Sequence, residues 1–220
     1  MKLYLNEVSN APLRVRLALA LKGIAVEEIR VDLERGGGEQ HSSAFGAINP
    51  QHMLPVLVDG EHVVRQSLAI IEYLEELKPR PALLPPDRAG RTRVRSLALM
   101  IACDGQPLLN LRVRRYLADG LGLPAAQADR WFRHWMGQSL AEYEAVLARD
   151  GMSGRFSHGD APTLADVCLV PQVLMAERFG VPTSGYAQVM RAFEACMALP
   201  EIRSVVDRAR ALDCAPEALR

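Results

Sequence analysis

A serine and an asparagine stand where the chain first turns into a predicted helix. The segment Ser9-Asn10-Ala11-Pro12 follows a short predicted strand, and Pro12 suits the first turn of a helix. A sulfur atom placed here would meet both the helix N-terminus and the Ser9 hydroxyl. Both lower the pKa of a thiol because they stabilise the thiolate. The alternative interpretation is that Ser9 and Asn10 only cap the helix.

A proline at the start of a predicted strand is the second chemical feature. Pro55 follows Leu54 and precedes the apolar run that begins at Val56. If the Leu54-Pro55 bond is cis, the N–H and C=O of Leu54 face a ligand rather than a neighbouring strand, which suits a bound peptide. A trans proline at a strand edge is the alternative.

The start of a third predicted helix offers a place for an anion. Gln66 and Ser67 stand at the start of the amphipathic segment 67–78, with Ser67 as the predicted N-cap. Free N–H groups at a helix N-terminus favour carboxylates. This position therefore suits the α-carboxylate of a peptide, unless Ser67 serves only as the cap.

The predicted strands and helices around these residues follow the order βαβ, loop, ββα. The pattern predicts strands at 2–5 and 26–31, a first helix closed by Gly23, a hairpin around Asp59-Gly60, and the helix 67–78. That order is typical of a thioredoxin-like domain, in which one mixed sheet carries packed helices. The fold class is therefore predicted as α+β in this part of the chain.

The remainder of the chain is predicted to be all helical. Four prolines between residues 79 and 87 indicate a connection. Thr163 and Asp166 form a variant of the capping box. The predicted domains are residues 1–80, a linker at 81–90, and a helical domain at 91–220. Helices are expected near 88–118, 125–149, 163–178, 186–197 and 200–209.

Composition excludes several classes of function. Lys plus Arg and Asp plus Glu both total 26, so no net charge favours a nucleic acid or a membrane surface as a partner. Asn6 and Glu7 interrupt any signal peptide, and no apolar run reaches the length of a membrane span, so we expect a cytoplasmic protein.

The cysteines and histidines show no metal-binding pattern. The five histidines have no ligand spacing, and none is assigned a role. The four cysteines form no CxxC pair, so neither a zinc site nor a redox dithiol is predicted; they are Cys103, Cys168, Cys196 and Cys214.

Several stretches, in order over nearly the whole chain, carry a family resemblance. They are SNAPLRVRLALALKG, NPQHMLPVLVDG, QSLAIIEYLEE, PALLP, DGQPLLNLRVRRYL, GDAPTLADVCLVPQV and AERFGV. With them the chain resembles the zeta-class glutathione transferases, the family of maleylacetoacetate and maleylpyruvate isomerases. The resemblance implies the glutathione transferase fold, glutathione as cofactor, a small acidic substrate and a homodimer.

The resemblance also implies roles for individual residues. Ser9 and Asn10 would lie at the glutathione thiol, and Leu54 before Pro55 would pair with the cysteinyl backbone. Gln66 and Ser67 would hold the γ-glutamyl carboxylate. The remaining glutathione residues would be Gln40 at the glycyl end, with Gln106, Asn110, Leu111 and Arg112 from the helical domain. Arg178 matches a family arginine that faces the acidic substrate. Because guanidinium groups suit carboxylates, Arg112 is the second candidate for this role and Arg14 the third.

The chain departs from the family pattern at the thiol. The usual motif is SSCSWRVR, whereas this chain has Asn10, Ala11 and Pro12 after Ser9. The serine hydroxyl therefore survives only at Ser9, although the Asn10 amide can still donate a hydrogen bond. Val8 stands where bacterial members often carry an arginine.

The implied reaction is isomerisation of a maleyl dicarboxylate to its fumaryl isomer. Reversible thiolate addition breaks the π bond and allows rotation, and loss of the thiolate regenerates the cofactor. Catalytic roles would fall to Ser9, Asn10 and Arg178. Two alternatives stay open: another glutathione enzyme that conjugates electrophiles or reduces a peroxide, and a non-catalytic binding protein.

Overall fold

The N-terminal part of the chain forms a four-stranded mixed sheet with helices. In the computed structural model, which describes residues 1–213, strand order is β2-β1-β3-β4, with β1 parallel to β2 and antiparallel to β3, and β3 antiparallel to β4. The predicted order βαβ, loop, ββα is confirmed. The elements are β1 (Lys2–Leu5), α1 (Asn10–Lys22), β2 (Glu27–Arg30), α2 (Ser43–Ile48), β3 (Val56–Asp59), β4 (His62–Arg65) and α3 (Ser67–Leu77).

Residues 83–198 are helical wherever they form regular elements, apart from one isolated bridge between Ser153 and Gly159. The prediction of an all-helical second part is confirmed for the described residues. The helices in this range are α4 (Arg88–Leu99), α5 (Leu111–Arg115), α6 (Ala125–Arg149), α7 (Leu164–Arg178) and α8 (Ala187–Met197). A last helix, α9 (Pro200–Asp213), follows this range.

The chain divides into two compact units. Residues 1–82 and the described part of the segment that begins at Leu199 form the N-terminal unit, and residues 83–198 form the helical unit. Helix α9 therefore belongs with the sheet, which differs from the predicted helical range 91–220. Arg208 on α9 donates from Nη2 to both carboxylate oxygens of Glu28 on β2, at 3.0 and 3.2 Å.

The predicted helix at 88–118 is wrong as a single element. Helix α4 continues into a π-helical turn, Met100–Gly105, and a 3-10 turn, Gln106–Leu109. Pro107 has no N–H to donate within the turn, and Asn110 is extended at ψ 147°. The Asn110 side chain accepts a hydrogen bond from the N–H of Arg112 at 3.2 Å and starts α5.

The predicted capping box at the start of α7 is confirmed. Asp166 is fully buried, and its Oδ2 accepts hydrogen bonds from the N–H and the hydroxyl of Thr163 at 2.8 and 2.9 Å. Its Oδ1 accepts from the N–H of Ser157 at 2.8 Å. Burial raises the pKa of Asp166, and these hydrogen bonds oppose the shift.

A buried lysine ties the ends of α1 and α3 together. Helix α1 ends at Gly23, which adopts the predicted left-handed cap with φ 58°. Just before it, Lys22 donates from Nζ to the carbonyls of Lys78 and Pro81 at 2.8 and 3.0 Å, and pairs with Glu75 at 2.5 Å. The Lys22 side chain has no exposed surface.

Replacing Lys22 with alanine is expected to lower the free energy of unfolding by about 3 kcal/mol, because Glu75 and two carbonyls lose a buried donor. Chemical denaturation measures the change. As the control, Lys2→Ala removes a 3.9 Å pair with Glu27 whose side chains are 54% and 60% exposed. It should cost less than about 1 kcal/mol. Equal losses in the two variants would contradict a role for buried pairing.

Candidate functional site

The sheet register brings three predicted site segments to one edge of the N-terminal unit. Tyr4 lies opposite Val56, and Val56 lies opposite Arg65. Three segments therefore lie at the same edge of the sheet: the chain after β1, the chain before β3 and the chain after β4. Those segments carry Ser9 with Asn10, Leu54 with Pro55, and Gln66 with Ser67.

Ser9 is the N-cap of α1, but its hydroxyl makes no capping bond to the helix. The hydroxyl therefore remains available at the positive end of the helix dipole. Asn10 is 4% exposed, and its buried Nδ2 has no hydrogen-bond partner among the described residues. A buried amide donor without a partner is costly unless a ligand or water satisfies it. The pair thus offers a hydroxyl and an amide donor at one helix end.

The Leu54-Pro55 peptide bond is cis. Of the two conformations that the sequence left open, the structure has the one that turns Leu54 away from the strand. The part of the chain that the structure describes shows no hydrogen bond to the N–H or C=O of Leu54. These two groups can therefore pair with the backbone of an extended ligand.

The start of α3 differs from the prediction in one respect. The N-cap is Gln66, at φ 74°, and Ser67 is the first helical residue, so the prediction that Ser67 caps the helix is wrong. Gln66 has this positive φ because the chain passes from β4 into α3 through a single residue. The buried Arg14 donates from Nη1 to Ser67 Oγ at 3.5 Å. Ser67 is thus held by α1 at the helix start that suits a carboxylate.

The loop between β2 and β3 carries Gln40 to the same part of the unit. The Nδ1 of His52 lies 2.7 Å from the carbonyl oxygen of Gln40. The neighbouring Gln51 accepts a hydrogen bond at Oε1 from Nε2 of Gln66 at 3.0 Å. The turn before Leu54 therefore contacts both Gln40 and Gln66.

In the helical unit, the predicted residues lie around the break between α4 and α5. Gln106 begins the 3-10 turn, and Asn110, Leu111 and Arg112 form the start of α5. The indole N–H of Trp131 donates to the carbonyl oxygen of Leu108 at 2.9 Å, which fixes this turn against α6.

Arg178 is the last residue of α7, and its side chain is exposed. The next residue, Phe179, stacks on Phe132 of α6 with ring centroids 5.5 Å apart. The guanidinium of Arg114 on α5 lies 6.0 Å from the centroid of each of these rings. The aromatic pair thus joins the end of α7 to α5, the helix that carries Arg112.

Comparisons with known proteins place this arrangement in a family. The family model for the glutathione S-transferase N-terminal domain matches residues 8–77. The maleylpyruvate isomerase of Ralstonia sp is 44% identical over 211 residues, which cover 96% of this chain and 98% of that protein. The holo structure of a maleylpyruvate isomerase, described as a bacterial zeta-class glutathione S-transferase, matches with TM-score 0.89 and 44% identity over 93% of this chain and 96% of that one.

The chain belongs to the zeta-class glutathione transferase family. Another structural neighbour is the maleylacetoacetate isomerase of Methylobacterium extorquens AM1, crystallised with bound malonate and GSH. It matches with TM-score 0.90 and 41% identity, over 93% of this chain and 95% of that one. The predicted glutathione transferase fold is thereby confirmed.

Two residues of this zeta-class chain bear on the site although sequence reasoning assigned them no role in it. No sequence motif singles out Trp131, yet its indole N–H fixes the turn that carries Gln106. His52 was given no role, yet it contacts the backbone of Gln40. Both contacts join residues distant in sequence, and neither residue belongs to a local pattern that would have revealed them.

Two further sequence features are the absence of a predicted membrane span and the four cysteines. Among the described residues, no helix is both long and apolar enough to cross a membrane. Cys168 and Cys196 are buried and Cys103 is exposed, while Cys214 lies outside the described residues.

Proposed function

We propose that this protein is a glutathione-dependent isomerase that converts a maleyl dicarboxylate, maleylacetoacetate or maleylpyruvate, into its fumaryl isomer. The observation that carries the proposal is the uncommitted hydroxyl of Ser9 at the N-terminus of α1. It belongs to a chain that is 44% identical to a maleylpyruvate isomerase over 96% of its length.

The polar groups at the sheet edge of the N-terminal unit fit glutathione. Asn10 Nδ2 is a buried donor and Gln40 Oε1 a buried acceptor, and the described residues give neither a partner. Leu54 offers one backbone donor and one acceptor, as a peptide requires. The start of α3 at Ser67 suits a carboxylate. A tripeptide with a thiol, two carboxylates and two amides matches this set of donors and acceptors.

In this proposal, the residues of the N-terminal unit bind the cofactor and keep its sulfur ionised. Bound glutathione supplies a thiolate that adds reversibly to the maleyl double bond, so that the bond can rotate before the thiolate leaves. Ser9 donates its hydroxyl hydrogen to the sulfur, and Asn10 adds an amide donor. Gln66 and Ser67 hold the γ-glutamyl carboxylate, and Gln40 meets the glycyl end. Gln106 and the turn from Asn110 to Arg112 complete the cofactor contacts.

Arginines of the helical unit bind the acidic substrate. A guanidinium forms paired hydrogen bonds with a carboxylate and stabilises negative charge that develops during the reaction. Arg178 holds one substrate carboxylate, and Arg112 is the second candidate. The bound malonate of the Methylobacterium extorquens structure, itself a dicarboxylate, supports an acidic ligand for this family.

Replacing Arg178 with alanine is expected to raise KM for the maleyl substrate about tenfold, the equivalent of about 1.4 kcal/mol in binding. KM for glutathione should stay unchanged, because Arg178 is proposed to bind only the acidic substrate. Arg130→Ala, which removes an exposed arginine of α6, is the matched control. Steady-state kinetics with each substrate varied in turn measures both constants. A rise in KM for glutathione alone would contradict the assignment.

Substrate profiling tests the proposed reaction against other glutathione chemistry. Purified protein is assayed with maleylpyruvate, maleylacetoacetate, a chlorinated acid, an aromatic electrophile and an organic peroxide, each with and without glutathione. The proposal expects glutathione-dependent turnover of at least one maleyl acid at a higher kcat/KM than any other compound. Faster turnover of an electrophile or a peroxide would replace it with a conjugating enzyme or a peroxidase.

We also infer that the protein is a cytoplasmic homodimer, without nucleic acid or membrane partners. The family resemblance supports the dimer, and the balance of 26 basic and 26 acidic residues offers no net charge for a polyanion. Sedimentation equilibrium of the full chain measures the mass of the assembly. A monomer over the whole concentration range would overturn the inference.

A further inference from the structure

A histidine three residues before the cis-proline holds the backbone of Gln40. The Nδ1 of His52 lies 2.7 Å from the carbonyl oxygen of Gln40. A carbonyl oxygen can only accept a hydrogen bond, so Nδ1 must carry the proton and donate. The imidazole of His52 thus donates a hydrogen bond to the backbone of a residue twelve positions earlier in the chain.

The backbone at His52 is shaped for this contact. His52 has φ 54°, in the left-handed region that few non-glycine residues adopt. Its N–H donates to the carbonyl oxygen of Asn49 at 2.9 Å, and the buried Asn49 side chain donates to the carbonyl of Met53 at 2.8 Å. A Cβ at Gly46 would lie 3.0 Å from the imidazole Cε1, so the glycine leaves room for the ring.

The side chain of Gln40 is buried, but its carbonyl oxygen accepts no hydrogen bond from the described residues. Gln40 is 4% exposed, and its Oε1 is buried with no hydrogen-bond partner among the described residues. Its amide folds over Gly38, where a Cβ would lie 2.4 Å from Nε2 and where φ is 109°. A buried acceptor without a donor is costly unless a ligand supplies one.

We propose that His52 is a positioning residue of the cofactor site. Its bond to the Gln40 carbonyl holds the Gln40 amide where Oε1 accepts a hydrogen bond from the glycyl end of glutathione. The inference rests on the proposed function only in taking glutathione as the ligand. His52 should therefore affect binding of the glycyl end alone, because other segments bind the thiol and the γ-glutamyl group.

The test measures binding of two ligands that differ only at this end. Glutathione and γ-glutamylcysteine, which lacks the glycyl residue, are titrated calorimetrically into the full-length protein. The variant His52→Gly removes the imidazole and keeps the positive φ, which glycine adopts without strain. We expect Kd for glutathione to rise about tenfold, in line with the loss of a positioned hydrogen bond. Kd for γ-glutamylcysteine should stay within about twofold.

Two further variants separate positioning from stability. In His52→Asn, the amide nitrogen can occupy the place of Nδ1, and asparagine tolerates a positive φ, so glutathione affinity should recover. Gln40→Ala should weaken glutathione binding as much as His52→Gly, and the double variant no further. The control His62→Ala removes an exposed histidine on β4 and should leave both affinities unchanged.

These affinities test the role of His52 independently of catalytic turnover. Equal weakening of both ligands by His52→Gly, or no weakening of either, would overturn the proposal. If the predicted pattern is seen but no maleyl acid is turned over, the role of His52 stands and the proposed reaction fails. If turnover is seen without the pattern, the reaction stands and the role of His52 fails.

Discussion

Ser9→Ala is expected to lower kcat/KM for the maleyl substrate by about 100-fold, the order of the effect of removing one hydrogen-bond donor from an anion in an active site. The Ser9 hydroxyl makes no capping bond to α1, so its proposed partner is the cofactor sulfur. Without the hydroxyl, the pKa of the bound glutathione thiol should rise. Ultraviolet titration of the thiolate in the complex measures that shift, and steady-state kinetics measures the loss of rate.

Two comparisons make this prediction specific. Ser204→Ala removes an exposed serine of α9 and should leave both quantities unchanged. Asn10→Ala should lower the rate by a smaller factor, because it removes a second donor but leaves the hydroxyl in place. An unchanged thiol pKa in Ser9→Ala, with the rate lost, would point to a role for Ser9 other than thiolate stabilisation.

Asp166→Ala is expected to lower the free energy of unfolding by about 4 kcal/mol. Its carboxylate accepts three hydrogen bonds, from the N–H of Ser157 and from the N–H and hydroxyl of Thr163, and all three residues are buried. Each buried donor left without an acceptor costs about 1–3 kcal/mol, and the helix also loses its capping box. Urea denaturation of the wild type and the variant gives the difference.

A surface aspartate in the loop that precedes α7 provides the control. Asp160 accepts one hydrogen bond from the N–H of Arg155 at 2.9 Å and is exposed. Asp160→Ala should therefore cost less than about 1 kcal/mol. If Asp160→Ala and Asp166→Ala were equally stable, the capping box would not be a principal anchor of α7.

Local signals in the sequence predicted most of the fold. Gly23 ends α1 because glycine adopts the left-handed conformation freely, and Asp59-Gly60 marks the hairpin between β3 and β4. Thr163 and Asp166 indicate the start of α7, because a capping box needs only two residues that are three positions apart in the sequence. Such features depend on neighbours in the chain, so they can be read without the tertiary structure.

The short helix α2, the break at Asn110 and the packing partner of α9 were not predicted. The six-residue helix α2 is too short to show a helical period, although Ser42 caps it through a hydrogen bond from Phe45. Asn110 divides a segment whose composition favours one continuous helix. Helix α9 packs with the N-terminal unit, and an amphipathic pattern predicts a buried face without naming its partner.

Two kinds of sequence information predict the candidate site. The chemistry of Ser9, of the Leu54-Pro55 bond and of the start of α3 follows from residue types at element ends, and the sheet register brings these segments to one edge. The roles of Gln40, Arg112 and Arg178 came from family resemblance, because no spacing or periodicity marks them. The Gln66 cap and the His52 bond required backbone angles and distances that the sequence does not contain.

The decisive assay for glutathione-dependent isomerisation is conversion of maleylpyruvate or maleylacetoacetate with glutathione at a small fraction of the substrate concentration. We expect complete conversion to the fumaryl isomer, with many turnovers for each glutathione and no loss of free thiol. Consumption of glutathione in proportion to product, or a reaction that proceeds equally well without it, would contradict the claim.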